Sequence, residues 1–272
     1  MTGATWLTSI NESRIWHRPV PLWGMRFVPP TLDRWVALQA HRFRIMGSAE
    51  LNFFQRFLNP ASHIVDVGAN QGIYTLSISR QTRTGKVFAF EPDPRLFVAL
   101  KNNVERNRAD NVILFNAAAA SQPAKLLLRP GSLNRGDNRI VRSGSDSTDA
   151  IEVTAVTLDE VIPDHRVDLM KIDVQGFELD VLRGATQIIQ ANPTLLILFE
   201  FWPHGLRLAS ASPEELLKLL QEAAFSLFRF NSKLAFRPFA YDPPSWARPD
   251  QFCNLVAIKD PRRLNADNLS NG

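Results

Sequence analysis

The sequence predicts an α/β fold: a doubly wound, mostly parallel sheet of seven strands, preceded by an N-terminal helical and aromatic extension. Three observations predict it. Short apolar runs of strand length recur at residues 64–67, 87–90, 112–115, 167–172 and 194–201, most of them followed by helical apolar spacing. Two more runs, 225–230 and 254–259, come near the end of the chain and supply a final pair with one antiparallel edge insertion. Carboxylates and glycines collect at the carboxyl ends of the first, second, fourth and fifth runs, where ligands bind in such sheets.

Composition bounds the class. The chain has 272 residues, 45% hydrophobic and 21% charged, which suits one large α/β domain with extensions. A net charge of +4 without any lysine-rich block argues against nucleic acid as a partner. The single cysteine, Cys253, excludes an internal disulfide framework and a Cys-rich zinc site, and suits a reducing, cytoplasmic setting. No apolar run follows a basic start, as a secretory signal would require, and no window is apolar enough for a transmembrane segment.

In chain order, residues 1–49 are the expected extension, carrying Trp6, Trp16, Trp23 and Trp35 among four prolines, with helical spacing from Leu32. Its aromatics are expected to pack over the domain edge. The same Trp and Arg side chains also suit a substrate lid or a weak peripheral membrane contact. The main domain, residues 50–260, opens with a short amphipathic helix at 50–58.

Ile64, Val65 and Val67 flank Asp66 in the first strand, and Gly68-Ala69-Asn70-Gln71-Gly72 turns the chain into a helix at 73–80. Glycines let the backbone approach a ligand, and the amides of a helix start favour a negative group. The turn is no dinucleotide fingerprint, since Asn70 and Ile73 stand where further glycines are needed, and no P-loop Gly-Lys-Ser/Thr follows. A carboxylate beside a wide glycine turn suits a zwitterion, with its amino group on Asp66 and its carboxylate on the turn amides. Glu91 ends the second strand about twenty residues on, placed to accept both ribose hydroxyls of an adenosine ligand. Residues 94–107 give a helix, and the third strand ends at Asn116-Ala117, where Asn116 can meet an adenine edge and Ala117 leaves room for the ring.

Residues 121–150 read as a strand at 125–128 and then a long polar, substrate-facing loop. The fourth strand carries Lys171 near its end and Asp173 at its tip. Gly176 permits a turn, and a helix at 177–190 follows, with Glu178 in its first turn. Lys171 is expected to pair with a carboxylate such as Asp173 or Glu200. The fifth strand delivers Glu200, with Trp202, Pro203 and His204 in a loop over the crevice. Asp173 and Glu200 can hold a Mg²⁺ ion or orient a substrate hydroxyl, and His204 is a candidate general base. A capped helix from Ser212, a Pro-rich aromatic connection at 233–249 and a polar tail at 261–272 complete the chain.

VDVGANQGIYT, FEPDP, Asn116-Ala117, LDE at 158–160, DLMKIDVQGFELDVLRGA and the strand ending in Glu200 follow one another over roughly residues 50–230. In these motifs the chain resembles the FkbM family of S-adenosylmethionine-dependent methyltransferases. The resemblance implies a Rossmann-like class I fold, seven strands with the last antiparallel, and methyl transfer to a hydroxyl oxygen of a small-molecule, sugar or lipid acceptor. It implies that Asp66, Gly68, Asn70 and Gly72 cradle the methionyl part, with Ala69 and Tyr74 of the same stretch beside them. Glu91 would take the ribose, and Asn116 and Ala117 the adenine region. Gln175 stands where many relatives carry Glu, which weakens a metal site. Asp173 is the first candidate for the base that deprotonates the acceptor, with His204 and Glu200 as alternatives. Two other classes remain open at this point: a nicotinamide-dependent oxidoreductase, and a binding module that takes S-adenosylmethionine without turnover.

Overall fold

In this computed structural model, which describes residues 20–22, 25–28, 48–131, 138–141 and 149–264, a hairpin of β1 (Val20–Leu22) and β2 (Met25–Phe27) precedes the helix α1 (Ser48–Phe57). Trp6, Trp16, Trp23 and Trp35 of the expected extension, its lid role and the tail beyond residue 264 lie outside the described residues. Ile64–Val67 forms β3, buried along its whole length, as suits a strand covered on both faces. The helix α2 (Ile73–Gln81), β4 (Val87–Phe90), α3 (Pro94–Asn107) and β5 (Val112–Phe115) follow. Met25 and Phe27 bury themselves against Leu76 and Leu100, and the side chains of Asn103 and Asn107 bond the hairpin backbone at Val28 and Arg26.

The strands β6 (Ala118–Ala119), β7 (Ala124–Arg129), β8 (Arg139–Val141) and β9 (Ile151–Val156) then build a separate four-stranded sheet, ordered β6-β9-β7-β8, before the one-turn helix α4 (Leu158–Val161). The segment expected to be a strand and a polar loop thus contributes the antiparallel pair β7–β8. The chain returns to the main sheet with β10 (Leu169–Ile172), α5 (Glu178–Arg183), α6 (Thr186–Ala191), β11 (Leu196–Phe201), α7 (Pro203–Leu208) and α8 (Pro213–Glu222). It ends in β12 (Ser226–Phe230), β13 (Phe236–Pro238) and β14 (Cys253–Ile258).

The main sheet runs β13-β12-β14-β11-β10-β3-β4-β5. The five strands β3, β4, β5, β10 and β11 are parallel, and the crossovers leave β3 in opposite directions, so the switch point lies between β3 and β10. The last strand, β14, is antiparallel, as the resemblance implies, but it lies between β11 and β12 rather than at an edge. There are eight strands instead of seven, because Asn231 caps a tight turn, its side chain accepting from Lys233 N at 2.9 Å, that folds β13 back onto β12.

Two further expectations are corrected. The helix expected over 177–190 is two helices, since the Asp159 carboxylate caps a second start by accepting from Gln187 N (2.9 Å) and Ile188 N (3.0 Å). Pro203 opens the helix α7, so His204 is helical and not part of a loop. Among the described residues no helix is long and apolar enough to cross a membrane.

Candidate active site

Gly68 leaves β3 with φ +77°, and its amide and that of Ala69 both donate to Phe90 O at the end of β4. A Cβ at Gly68 would lie 2.0 Å from the Asp173 carbonyl oxygen, so only glycine lets the β3 turn and the β10 tip touch. That contact draws the three strand ends around one cavity of about 570 Å³, a size usual for small-ligand pockets. Of the expected residues, Gly68, Ala69, Asn70, Tyr74, Glu91, Ala117, Asp173 and Glu200 line it.

Four expected residues do not line it. Asp66 is fully buried beneath the floor, where Oδ2 accepts from Thr75 Oγ1 at 2.7 Å and Oδ1 faces Lys171 Nζ at 3.2 Å. An ion pair within the protein therefore replaces its expected contact with a ligand ammonium. Gly72, at φ +91°, packs its Cα side against Leu100, where a Cβ would come within 2.6 Å. Asn116 is exposed and donates from Nδ2 to Glu91 O (2.8 Å) and Pro92 O (3.2 Å), which fixes the turn after β4. His204 sits on α7 with its ring 5.8 Å from that of Trp202, outside the lining.

Glu91 is buried to 4% exposure, and each carboxylate oxygen accepts one backbone amide, Oε2 from Asn70 and Oε1 from Asp93. Burial outweighs those bonds and pushes its pKa up to about 8. Each oxygen keeps a further lone pair for a hydroxyl donor. Beside it, Asn70 Oδ1 is buried without a hydrogen-bond partner among the described residues, a site that calls for a ligand donor.

At the other end, Gln175 Nε2 donates to both Asp173 Oδ1 (3.1 Å) and Glu200 Oε2 (2.9 Å). Sequence reading singled out Gln175 only as a missing carboxylate, whereas its amide ties the two acids together. Burial, and then the neighbouring Asp173 charge, raise the Glu200 carboxyl to about 9. Lys171 Nζ lies 3.8 Å from Asp173 Oδ2 and 5.1 Å from the centre of the Tyr74 ring, so it pairs with Asp66 and Asp173, not with Glu200. The donor set does not suit Mg²⁺: an N–H group stands between the two carboxylates, and no cluster of three metal-ligating side chains exists among the described residues.

Glu178 holds this arrangement from below. Its Oε1 accepts from Val174 N (3.3 Å) and Gly176 N (3.1 Å), clamping the turn in which Gln175 (φ +54°) and Gly176 (φ +105°) are left-handed. Trp202 and the exposed Phe252 line the cavity too, together with Arg139 and Ile140 of β8, whose side chains gave no periodic signal in so short a strand. Asn138, just before β8, donates to Asp93 Oδ2 at 2.9 Å and anchors that wall over the end of β4.

A family model described as the methyltransferase FkbM domain matches residues 66–227. Among curated relatives, the methyltransferase sdnD of Sordaria araneosa is 27% identical, with the match covering 71% of this chain and 80% of that protein. The hexuronic acid methyltransferase AglP of Haloferax volcanii is 28% identical over 59% of this chain and 62% of its own length. The 31-O-demethyl-FK506 methyltransferase FkbM of Streptomyces tacrolimicus is 29% identical over 47% of this chain and 60% of its own. The chain thus spans about three fifths of the latter two relatives.

Proposed function

The chain belongs to the FkbM methyltransferase family, and on that premise we propose that it transfers a methyl group from S-adenosylmethionine to a hydroxyl oxygen of a small-molecule, sugar or lipid acceptor. One observation carries the reading: a single cavity joins the Gly68–Asn70 turn, the buried Glu91 and the Asp173–Gln175–Glu200 bridge. These residues fit the cofactor. Glu91 accepts from a ribose diol, the unpartnered Asn70 Oδ1 accepts from an ammonium, and Ala117, Ala118 and Leu96 give an apolar slot for the base.

The bound cofactor supplies an electrophilic methyl carbon that needs little activation. The protein's part is then to hold the acceptor oxygen close and in line, and to take its proton. Asp173 takes that proton at its carboxylate, with Lys171 as countercharge and Gln175 fixing its orientation. Glu200, neutral at physiological pH, offers an O–H to the acceptor or to Asp173. Trp202 and Phe252 add apolar surface to the cavity wall.

Calorimetry with S-adenosylhomocysteine and incubation of cell extracts with labelled S-adenosylmethionine test the reading. Asp173→Asn is expected to bind S-adenosylhomocysteine as the parent does and to lose about 100-fold or more in turnover. Full turnover in that variant would remove Asp173 from the role.

A further inference from the structure

The cavity does not end at the reacting carboxylates. Arg139, Ile140, Gln175 and Phe177 line it and also line a second, larger cavity of about 1150 Å³ between β7–β8 and the helices α5 and α7. The two cavities thus meet at these four residues, and Asp173 and Glu200 line the smaller one beside them.

Arg139 is the one charged residue that lines both cavities among the described residues. Arg129 of β7 and Arg139 of β8 are direct partners in the antiparallel register, and both line the larger cavity. Of the other charges around that cavity, Arg183 pairs with Glu215, Lys125 lies 3.6 Å from Glu152, Asp180 accepts from Ser121 N and Oγ, and Asp149 lines it as well. Arg139 has no carboxylate within ion-pair distance among the described residues. Its guanidinium lies 5.0 Å from the centre of the Trp202 ring, and stacking of this kind holds the planar group in place and leaves its edge donors for a planar oxyanion. Lys171, the other cation lining the smaller cavity, is occupied by Asp66 and Asp173.

We propose that the larger cavity is the acceptor site and that the acceptor carries an oxyanion, a carboxylate or a phosphate, held by Arg139 while a hydroxyl of the same molecule reaches Asp173. This rests on the methyltransferase reading above. A neutral acceptor against Arg139 would desolvate a guanidinium that has no carboxylate partner among the described residues, a cost an anionic one avoids.

The test uses the full chain saturated with S-adenosylhomocysteine, titrated with glucuronate, inorganic phosphate and, as the uncharged control, glucose. Glucuronate, phosphate or both are expected to bind at least about tenfold more tightly than glucose, and Arg139→Ala to remove about tenfold of that affinity. Arg139→Lys restores part of it, since the charge returns without the fork. Tighter glucuronate points to a carboxylate on the acceptor and tighter phosphate to a phosphoryl group. S-adenosylhomocysteine affinity is measured on every variant; if Arg139→Ala loses it, Arg129→Ala is read in the same titration. No binding of S-adenosylhomocysteine to the unmodified chain would overturn the methyltransferase reading and this inference with it. Binding of S-adenosylhomocysteine, with oxyanions no tighter than glucose or indifferent to the arginine changes, would overturn the acceptor inference alone.

Discussion

Lys171 is an unusual residue for an otherwise apolar strand, and its reason is Asp66, its direct partner in the β3–β10 register. Both are buried, so neither charge can be removed alone without stranding the other. Lys171→Met is expected to lower unfolding stability by about 3–5 kcal/mol in urea titrations, with partial recovery when Asp66→Leu is added. Glu91 makes a second prediction at this scale. Its carboxyl, raised to about 8, is mostly protonated at neutral pH, whereas a ribose diol donating two hydrogen bonds requires the ionised form. Cofactor binding then releases a proton near pH 7, and affinity rises with pH up to about 8 and levels above it. Calorimetry in buffers of different ionisation heat reads the proton directly, and Glu91→Gln should abolish it while weakening binding by about tenfold or more. Glu91, Asp173 and Glu200 are visible in the sequence because strand tips announce themselves by where apolar runs stop, and Asp66 because it interrupts one. Which of them face a ligand is not visible, since Asp66 turns inward through pairing with a residue more than a hundred positions away.

At the scale of elements, the turn between β10 and α5 organises the site. Gly176 is left-handed and presses on α7, where a Cβ would lie 2.3 Å from Gly205 O. Gly176→Ala should therefore cost about 2 kcal/mol or more in thermal unfolding and reduce turnover beyond that loss, because Gln175 would shift away from the two carboxylates. Such turns are legible, as glycine chemistry is local. The β7–β8 pair is not, since a three-residue strand such as β8 has no periodicity to read and owes its place to Asn138 bonding Asp93 and to the register with β7. Asp159 stood out in its motif, yet only the fold shows that it splits one expected helix into two by capping the second.

For the whole molecule, three carboxyls in or beneath one cavity are held above their ordinary value by burial: Glu178 at about 7, Glu91 at about 8 and Glu200 at about 9. In the unfolded chain all three ionise near 4.5, so between that pH and about 9 the folded state binds more protons and stability falls as pH rises. The melting temperature of the free protein is expected to drop by roughly 5 °C or more from pH 5.5 to 8.5. The drop should shrink when S-adenosylhomocysteine is present, because a ligand on Glu91 stabilises its ionised form. A flat profile in differential scanning calorimetry would contradict the buried, protonated state of these groups. The parallel order of the sheet was readable because each crossover repeats one rule of handedness and neighbourhood. The second sheet depends on strands of two and three residues, which carry too little pattern to read.

The amide of Gln175 has one more consequence. Gln175→Glu exchanges a nitrogen for an oxygen at nearly constant shape, and three acids would then meet where a donor now reconciles two. Mutual repulsion would either splay them apart or recruit a divalent ion as the missing positive centre. A new dependence of melting temperature on magnesium in that variant, absent from the parent, would show that one side-chain amide stands in for a metal here.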